Sequence, residues 1–324
     1  MFGLVSDITM GLFKRVKPHE VKVKKSIYEY VDKCTIKLPI SARIKRAGEV
    51  ITETAETAKQ FTEGDKVIVK LGYNNIFKVE FEGFVSRINF TSPLEVECEG
   101  YSYQLRKQNL KGTYKNIELK DLLKIITAGT DIVLSDNIPS FLITKIILND
   151  KDGCHVLEEI KGTSKQLMRF FFLGKILYAG LTFINPLADV KFKMGWNVIK
   201  DGGLKLRQAK NQNYQVIWIG VKSDGTKVTV IEGKSGVIKT HVSHVVTDFE
   251  SLKKLAVAEH NKLSLDGYEG KITAFGIPFC KPGDKAILTD EKYPERGGNY
   301  IVENTEVSYG MSGFRRTIGI GAKL

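Results

Sequence analysis

The chain has 324 residues, of which 42% are hydrophobic and 27% charged, and its formal net charge is +12. A chain of this length can bury a sizeable core in two or three domains, so disorder is not the expected state. The 30 glycines against 8 prolines indicate many tight turns between strands, which favours an all-β or α+β fold.

Signals for export or membrane insertion are lacking at the N-terminus and in the apolar runs. No basic residue precedes the first apolar residues, and Asp7 interrupts them before the apolar core of a signal peptide could form. The run 170–173 is followed at once by Gly174 and Lys175, so it is far shorter than a membrane-spanning helix. We therefore expect neither a signal peptide nor a membrane protein.

The four cysteines predict free thiols rather than disulfide bonds. They lie far apart in the sequence, without a C-x-x-C spacing and without a secretory signal. Isolated cysteines of this kind behave as small apolar residues. We expect buried thiols at Cys34, Cys98, Cys154 and Cys280.

Positive charge is concentrated at the N-terminal end. Residues 1–48 hold eleven Lys or Arg against four acids, a net charge of +7. This excess predicts an acidic partner protein or a solvated surface. Nucleic acid is the alternative partner, but its binding sites interleave basic with aromatic residues, and only Tyr28 and Tyr30 stand among these charges.

Period-two alternation predicts strands from residue 21 to 107. In 77–82 and in 94–99 every second residue is apolar and the residues between are charged, which is typical of a strand with one buried face. Residues 49–60 show neither this alternation nor an apolar helical stripe, so we expect a surface excursion. Residues 1–107 are predicted to form an N-terminal antiparallel β-barrel.

The pattern changes to helices and short strands in residues 108–200. Asn116 can cap a helix that ends at Gly129. A second helix is expected over 164–172, between strands at 141–148 and 175–183. The first helix carries its apolar face on Leu119, Leu122, Leu123 and Ile126. This region is predicted to be a small α+β domain.

Strands dominate again from 201 to 324. Two β-rich runs, 215–221 and 227–231, flank Asp224-Gly225, a dipeptide that favours a hairpin turn. Asp248 can cap one inserted helix. The apolar face of that helix is formed by Leu252, Leu255, Ala256 and Ala258. We expect a C-terminal β-barrel with this helix inserted.

A short internal repeat relates the two ends of the chain. The residues 64–69 (Gly-Asp-Lys-Val-Ile-Val) recur as 283–288 (Gly-Asp-Lys-Ala-Ile-Leu). An aromatic-x-Val-Glu sequence follows each copy, and Val-Ser then stands at 85–86 and at 307–308. A Gly-Asp turn that enters a meander of strands explains both copies. We predict two similar barrels, with structural turns at Gly64, Asp65, Gly283 and Asp284.

Two motifs resemble ligand sites but lack an essential component. The residues 233–235 (Gly-Lys-Ser) have Val228 where a phosphate-binding loop needs its first glycine, so a hairpin turn is the better interpretation. His241 and His244 would point to opposite faces of a strand, and no cysteine or carboxylate stands at ligand spacing. No metal site is predicted.

Catalytic groups are equally incomplete. Phe314 follows 310–313 (Gly-Met-Ser-Gly) where a nucleophile elbow needs a glycine. A group of acids stands in a polar hairpin loop without an apolar pocket that would raise a carboxyl pKa. These acids are Asp290, Glu291 and Glu295. We therefore predict no enzymatic activity, no cofactor and no small-molecule substrate.

The C-terminal block resembles the closing domain of the phage late control protein D and Mu-like baseplate-hub family. The resemblance lies in 268–285, with Pro-Gly-Asp at 282–284, in 298–307, and in the final strand 313–321 that opens with Gly-Phe-Arg. Residues 35–39 also look like the opening barrel of such hubs.

The resemblance implies a structural role in a phage tail baseplate or a related contractile injection machine. It implies a homotrimer whose paired barrels form a pseudo-sixfold ring between a tail tube, or a tube-initiator protein, and a central spike. Related type VI secretion spike proteins carry the needle on the same chain, whereas this chain ends at Leu324. A separate spike protein and other baseplate proteins are therefore expected partners, in a particle assembled in the bacterial cytoplasm.

Two other functions stay open at this point. The barrels could be oligonucleotide-binding folds of a basic nucleic-acid-binding protein, which would bind with a steep salt dependence. A tail-borne cell-wall hydrolase is the second alternative, although the sequence shows no paired acid and base to support it.

Overall fold

The structure is a computed structural model that describes residues 3–44, 53–181, 187–207 and 213–324. This part of the chain is mainly β, with large antiparallel sheets, as predicted. The N-terminal strands are β1 (Leu4–Met10), β2 (Glu20–Ser26), β3 (Lys33–Leu38), β4 (Ser41–Ile44), β5 (Glu53–Glu56), β6 (Lys66–Tyr73), β7 (Ile76–Asn89) and β8 (Leu94–Glu99).

The middle of the chain alternates helices with strands. Its elements are α1 (Ser102–Arg106), β9 (Leu110–Glu118), α2 (Leu119–Thr127), β10 (Val133–Leu134), β11 (Leu142–Lys151), α3 (Gly153–Thr163), β12 (Met168–Leu173) and β13 (Ile176–Leu181). Strands β9 and β11 pair with each other, and β12 and β13 form a hairpin that β10 extends.

Strands and one long helix form the C-terminal part. They are β14 (Asp189–Lys193), β15 (Val198–Asp201), β16 (Lys205–Arg207), β17 (Tyr214–Val221), β18 (Lys227–Gly233), β19 (Val237–Ser243), α4 (Phe249–Ser264), β20 (Gly267–Phe275), β21 (Lys285–Thr289), β22 (Gly298–Gly310) and β23 (Gly313–Lys323). Within the described residues no helix is long and apolar enough to cross a membrane.

Thirteen of the described strands form one continuous sheet. The first strand set runs in the order β1-β6-β7-β8-β3-β2. The second strand set comprises β14, β21, β22, β23, β20, β15 and β16, and it joins the first where β22 pairs with β2. The prediction of two barrels is not confirmed, since the described strands follow an open path and no closed barrel is found among them.

Three hydrophobic cores lie on this framework. One is built from the first strand set together with Val307 and Phe314 of β22 and β23, and a second belongs to the second strand set. The third contains the middle elements and also Trp218, Val230 and Leu252. Sheet β17–β19 and α4 therefore pack against the middle region, although the sequence placed them in the C-terminal domain 201–324.

The helix of 119–127 matches its predicted apolar stripe, but its cap differs. Leu119, Leu122, Leu123 and Ile126 are all fully buried. Asn116 lies in β9 with a positive φ of 51°, and Glu118 precedes the helix. The Glu118 carboxylate accepts a hydrogen bond from the Phe141 backbone N–H at 3.0 Å, so it ties the helix start to β11 rather than capping it.

The helix predicted over 164–172 is wrong. Helix α3 ends at Thr163, and residues 168–173 form strand β12, which is buried on both faces. The aromatic run at 170–172 has strong strand propensity, and a doubly buried strand lacks the alternation that identifies half-buried strands. The flanking strands at 141–148 and 175–183 are confirmed as β11 and β13, within a few residues.

Several local predictions are confirmed. Strands β17 and β18 form an antiparallel hairpin whose turn holds Gly225 at a φ of 84°. The Asp248 carboxylate accepts a hydrogen bond from the Ser251 N–H at 2.8 Å and so caps α4. Of the surface excursion 49–60, residues 53–60 form β5 and a 3₁₀ turn, and the rest lie outside the described residues. All the cysteines are free and buried.

Candidate assembly site

Gly64 turns the chain into β6 in a conformation that favours glycine. Its φ is 93°, in the left-handed region that strains other residues. The Gly64 N–H donates to the Val85 carbonyl at 2.8 Å, and the Val85 N–H donates back to the Asp65 carbonyl at 2.8 Å. The Asp65 carboxylate accepts from the Thr62 N–H at 2.9 Å, which closes the turn.

Gly283 enters β21 with the same pattern. Its φ is 91°. The Gly283 N–H donates to the Val302 carbonyl, and the Val302 N–H donates to the Asp284 carbonyl, both at 2.8 Å. The Asp284 carboxylate accepts from the Lys281 N–H at 2.7 Å. Each hydrogen bond of the first turn therefore has a counterpart in the second.

These hydrogen bonds correct the register of the internal repeat. Val85 corresponds to Val302, whereas the sequence comparison matched it with Val307. Similarity also stops at the neighbouring strand, because β1 runs antiparallel to β6 while β14 runs parallel to β21. The shared unit is a Gly-Asp turn, a strand and the long strand that pairs back onto it.

The two strand sets meet along β2 and β22. These strands pair antiparallel from Glu20 opposite Gly310 to Ser26 opposite Asn304. Val23 and Val307 face each other in this register and are both buried. Backbone hydrogen bonds therefore continue from one set into the other without a linker.

A buried ion pair links the sets a second time. Arg316 of β23 and Glu80 of β7 expose only 1% and 4% of their side chains. The guanidinium donates two hydrogen bonds to the carboxylate, from Nη2 to Oε1 at 2.5 Å and from Nη1 to Oε2 at 3.2 Å. It also donates to the carbonyls of Gly276 and Cys280. This bidentate geometry satisfies both charges and sets the orientation of β7 against β23.

An apolar cleft opens beside this ion pair. We call it the joint cleft, and its volume is 450 Å³. The Tyr73 hydroxyl donates to the Phe314 carbonyl at 2.9 Å, so residues of both strand sets form its wall. Trp196 is 75% exposed and Ile277 47% exposed. The lining residues are Tyr73, Trp196, Asn197, Phe275, Ile277 and Pro278. Clustered exposed apolar side chains of this kind are typical of protein contact surfaces.

Of the two histidines that resembled a metal site, His241 packs within the protein and His244 is exposed. His241 Nε2 lies 2.9 Å from the Glu259 carboxylate, which also accepts from the Trp218 indole N–H at 3.3 Å. The His241 ring packs on Trp218, with ring centroids 4.8 Å apart. Among the described residues no group of three or more His, Cys, Asp or Glu could hold a metal ion.

The other discounted motifs lie in turns. Residues 310–313 form the tight connection between β22 and β23. Asp290 accepts hydrogen bonds from the backbone N–H groups of Lys292 and Tyr293, which builds the loop after β21. Gly233 ends β18 with a φ of 90°. None of these places a nucleophile beside a base.

Several cations of the basic N-terminal segment lie on strands and pair with acidic neighbours. Lys22 and Lys37 both contact Glu20, at 3.0 and 2.9 Å, and Lys24 lies 3.6 Å from Glu306. Pairing of this kind reduces the positive potential that a nucleic acid would encounter. Lys45 and Arg46 lie outside the described residues.

Comparison with known proteins relates the fold to tail proteins. No protein-family model and no curated protein matches the sequence. Among solved structures, a tail protein from Neisseria meningitidis has a TM-score of 0.67 at 12% identity, covering 98% of this chain and 96% of that one. A 43 kDa tail protein of prophage MuSo2 from Shewanella oneidensis has a TM-score of 0.65 at 12% identity, with 98% of both chains covered.

A third similar structure comes from a secretion machine. It is an Escherichia coli component of the type VI secretion system, itself similar to the bacteriophage T4 tail proteins gp27 and gp5. Its TM-score is 0.60 at 9% identity, over 98% of this chain and 77% of that one. The resemblance seen in the sequence is therefore confirmed at the level of the fold: this chain has the fold of phage tail proteins and of a related type VI secretion component.

Proposed function

We propose that the protein is a structural hub of a phage tail baseplate or of a related contractile injection machine. The observation that carries the proposal is the match to two phage tail proteins over almost the whole of both chains. Similarity of that extent includes both strand sets and the region between them. At 12% identity, the similarity to these two proteins shows that the fold is shared. The role in a baseplate is our inference from that fold.

The geometry of the strand sets supports a ring. Each chain carries two copies of the Gly64–Asp65 type of turn, each followed by a paired long strand, and the β2–β22 ladder joins the two sets. Three such chains in cyclic symmetry would present six similar units. A ring of six units can dock onto a sixfold tail tube on one side while its threefold symmetry fits a trimeric spike on the other.

The expected partners follow from this arrangement. They are two further copies of the chain, a tail tube or tube-initiator protein, a separate central spike and other baseplate proteins, within a virion or a similar particle. The joint cleft supplies an exposed apolar surface for one of these contacts. The role needs no catalysis and no cofactor. Gly64, Asp65, Gly283 and Asp284 would act as structural turns of the two similar units.

The oligomeric state tests this proposal. Light scattering coupled to size exclusion should give three times the chain mass of 36.3 kDa, for the protein alone or after its spike partner is added. Cryo-electron microscopy of the assembled particle would then show three copies at the end of the tube. A single copy per particle, or a monomer at all concentrations with and without partners, would contradict the proposal.

A further inference from the structure

The three-stranded sheet β17–β19 has one face that stays largely exposed among the described residues. Helix α4 packs on the inner face of this sheet, where Val216, Trp218 and Val230 are buried in the core of the middle region. The opposite side, which we call the outer face, is lined by the alternate residues of the three strands. These residues are Ile217, Ile219, Val221, Thr229, Ile231, Ile238, Thr240 and Val242.

The outer face is more apolar than the solvated face of an ordinary sheet. Ile231, Ile238 and Val242 are 57%, 60% and 49% exposed, and the isoleucines of β17 are partly buried between them. In the run 216–221 every residue other than glycine is apolar. Strands with one solvated face alternate apolar with polar residues, whereas unbroken apolar strands are typical of sheets covered on both faces. The sequence of β17 therefore fits a sheet with a second layer on its outer face.

The charge of the outer face is positive. By strand register, Lys227 is its one charged side chain. The two remaining charged residues of these strands, one acid and one lysine, belong to the inner face by the same register. The turns at the ends of the sheet add Lys222 and Lys234 against Asp224. Three lysines therefore stand against one acid on and beside the outer face.

The size of the outer face favours a narrow occupant. Three strands of seven or eight residues give a surface of about 14 Å by about 24 Å, from a strand spacing of about 4.8 Å and a rise of about 3.4 Å per residue. This plan area of roughly 340 Å² is well below the about 800 Å² that each partner of a stable complex buries. Two copies of the chain packed face to face would thus bury too little, and their lysines would meet like charges.

An α-helix matches the outer face in length and width. Helix α4 has 16 residues and covers the inner face of the same sheet with Leu252, Leu255 and Ala256. A helix of that length spans about 24 Å and is about 10 Å wide. A second helix on the outer face would therefore complete a sheet with helices on both sides, which is a stable layer arrangement.

We propose that the outer face binds an amphipathic helix of a partner protein, with acidic side chains beside its apolar stripe. The isoleucines and valines of the sheet would contact apolar side chains at i, i+3, i+4 and i+7, and the lysines would attract the acids. A lipid surface is the weaker match, because the outer face carries no Trp or Tyr of the kind that anchors proteins at a membrane interface. The inference goes beyond the proposed hub and does not depend on trimer formation.

A peptide titration of the full chain tests the proposal. The probe is a fluorescein-labelled, alanine-rich helical peptide of about 16 residues with an i, i+3, i+4, i+7 stripe of leucines flanked by glutamates. One matched probe has the same composition with the leucines scattered around the helix, and another has lysine in place of glutamate. Fluorescence anisotropy should show the striped glutamate probe binding about tenfold tighter or more than the scattered one, since the burial of a single leucine corresponds to that factor. It should also bind more tightly than the lysine probe.

Variants assign the binding to the outer face. Ile231→Glu and Ile238→Glu place a charge at exposed positions, so they should leave the fold intact and weaken binding of the striped probe about tenfold or more. Phe90→Glu is the matched control, because Phe90 is 83% exposed and lies in the first strand set after β7. Lys227→Glu should reduce the preference for the glutamate probe over the lysine probe. Circular dichroism checks each fold. Should the isoleucine variants fail to fold, a photoreactive striped probe on the unaltered protein replaces them, and its cross-links should map to β17–β19.

Three results would overturn the inference. They are equal binding of the striped and scattered probes, unchanged binding in both folded isoleucine variants, or cross-links confined to other parts of the chain. Tighter binding of the lysine probe would overturn the acidic character of the partner.

Two further measurements distinguish the other occupants. If Ile231→Glu dissociates a trimer of the unaltered protein in light scattering, the outer face is a contact between copies and the proposal is wrong. If the protein binds phosphatidylglycerol vesicles and Ile238→Glu abolishes that binding, the outer face is a lipid contact and the proposal is equally wrong. A trimer that persists in both variants leaves the ring proposal standing whatever the peptides show.

Discussion

At the scale of single residues, the ion pair of Glu80 and Arg316 makes the sharpest energetic prediction. Glu80→Gln should lower the free energy of unfolding by about 3 to 5 kcal/mol, because it leaves the Arg316 charge buried without its counter-ion. Urea unfolding measures the change. The control is Asp121→Asn, which breaks the exposed pair with Lys124 and should cost less than about 1 kcal/mol. Equal effects of the two variants would contradict the stabilising role of the buried pair.

The buried Asp32 should make the stability of the protein fall as the pH rises, which is the opposite of what most carboxylates do. Burial raises its pKa from 3.8 to about 6, although Lys25, 3.7 Å away, partly offsets the effect. Between these values the folded protein binds more protons than the unfolded one, so stability from Asp32 is full below pH 3.8 and declines as the pH rises towards 6. A difference of about two pKa units between the folded and unfolded states corresponds to about 3 kcal/mol of the free energy of unfolding.

Asp32→Asn removes this titration. Relative to the unaltered protein, the variant should gain stability as the pH rises from about 4 to about 6.5, measured by thermal unfolding at each pH. Glu20→Gln is the control of opposite sign. Hydrogen bonds from Lys37 and Lys22 lower the Glu20 pKa, so its contribution is present at neutral pH and disappears as the pH falls. A difference between wild type and Asp32→Asn that is constant with pH would contradict the prediction.

At the scale of elements, the two Gly-Asp turns should respond alike to the same substitution, because both turn glycines have a φ near 90°. Gly64→Val and Gly283→Val should each destabilise by roughly 1 to 3 kcal/mol, because valine is strained at a φ near 90°. A Cβ at Gly283 would also lie 3.1 Å from the Leu187 side chain. Thermal unfolding measures both variants.

The control for the turns is Gly180→Val. Gly180 lies in β13 without a positive φ, and a Cβ there meets no other atom within 4 Å, so valine should be tolerated. Asp284→Asn keeps the turn's backbone conformation and should cost less than Gly283→Val. If only one of the two turn glycines proves sensitive, the proposal of two equivalent units loses its support.

At the scale of the whole molecule, the joint cleft is our candidate for the contact between copies. Trp196→Glu and Ile277→Glu place a charge on an exposed apolar surface, so they should reduce the trimer mass to that of a monomer without lowering the unfolding temperature. Leu12→Glu is the matched control, because Leu12 is 96% exposed and lies outside the cleft. Trimers that persist in both cleft variants would place the interface elsewhere.

The sequence by itself determined the features that depend on neighbours along the chain. Alternation identified the strands at 77–82 and 94–99, but it placed Phe77 and Val79 on a buried face, whereas the structure exposes both and buries Glu80. The apolar stripe identified α2, and Asp-Gly identified the hairpin of β17 and β18. Turn glycines at 64 and 283 were found because a positive φ favours one residue type. Periodicity and turn-forming residues depend only on amino acids close together in the sequence, so the sequence alone predicts them.

Only the tertiary structure decided how these elements combine. Glu80 and Arg316 are 236 positions apart, and no periodic pattern marks either as a buried partner. The same holds for Arg169 and Tyr28, which meet across two parts of the fold. Strand β12 resembled a helix in the sequence because burial on both faces removes the alternation of apolar and polar residues. Helix α4 packs into the core of the middle region, although its apolar residues alone would equally suit a core in the C-terminal region. Contacts between residues far apart in the sequence decide which of the structures that the local sequence allows is formed. The pairing of β2 with β22 is one such contact.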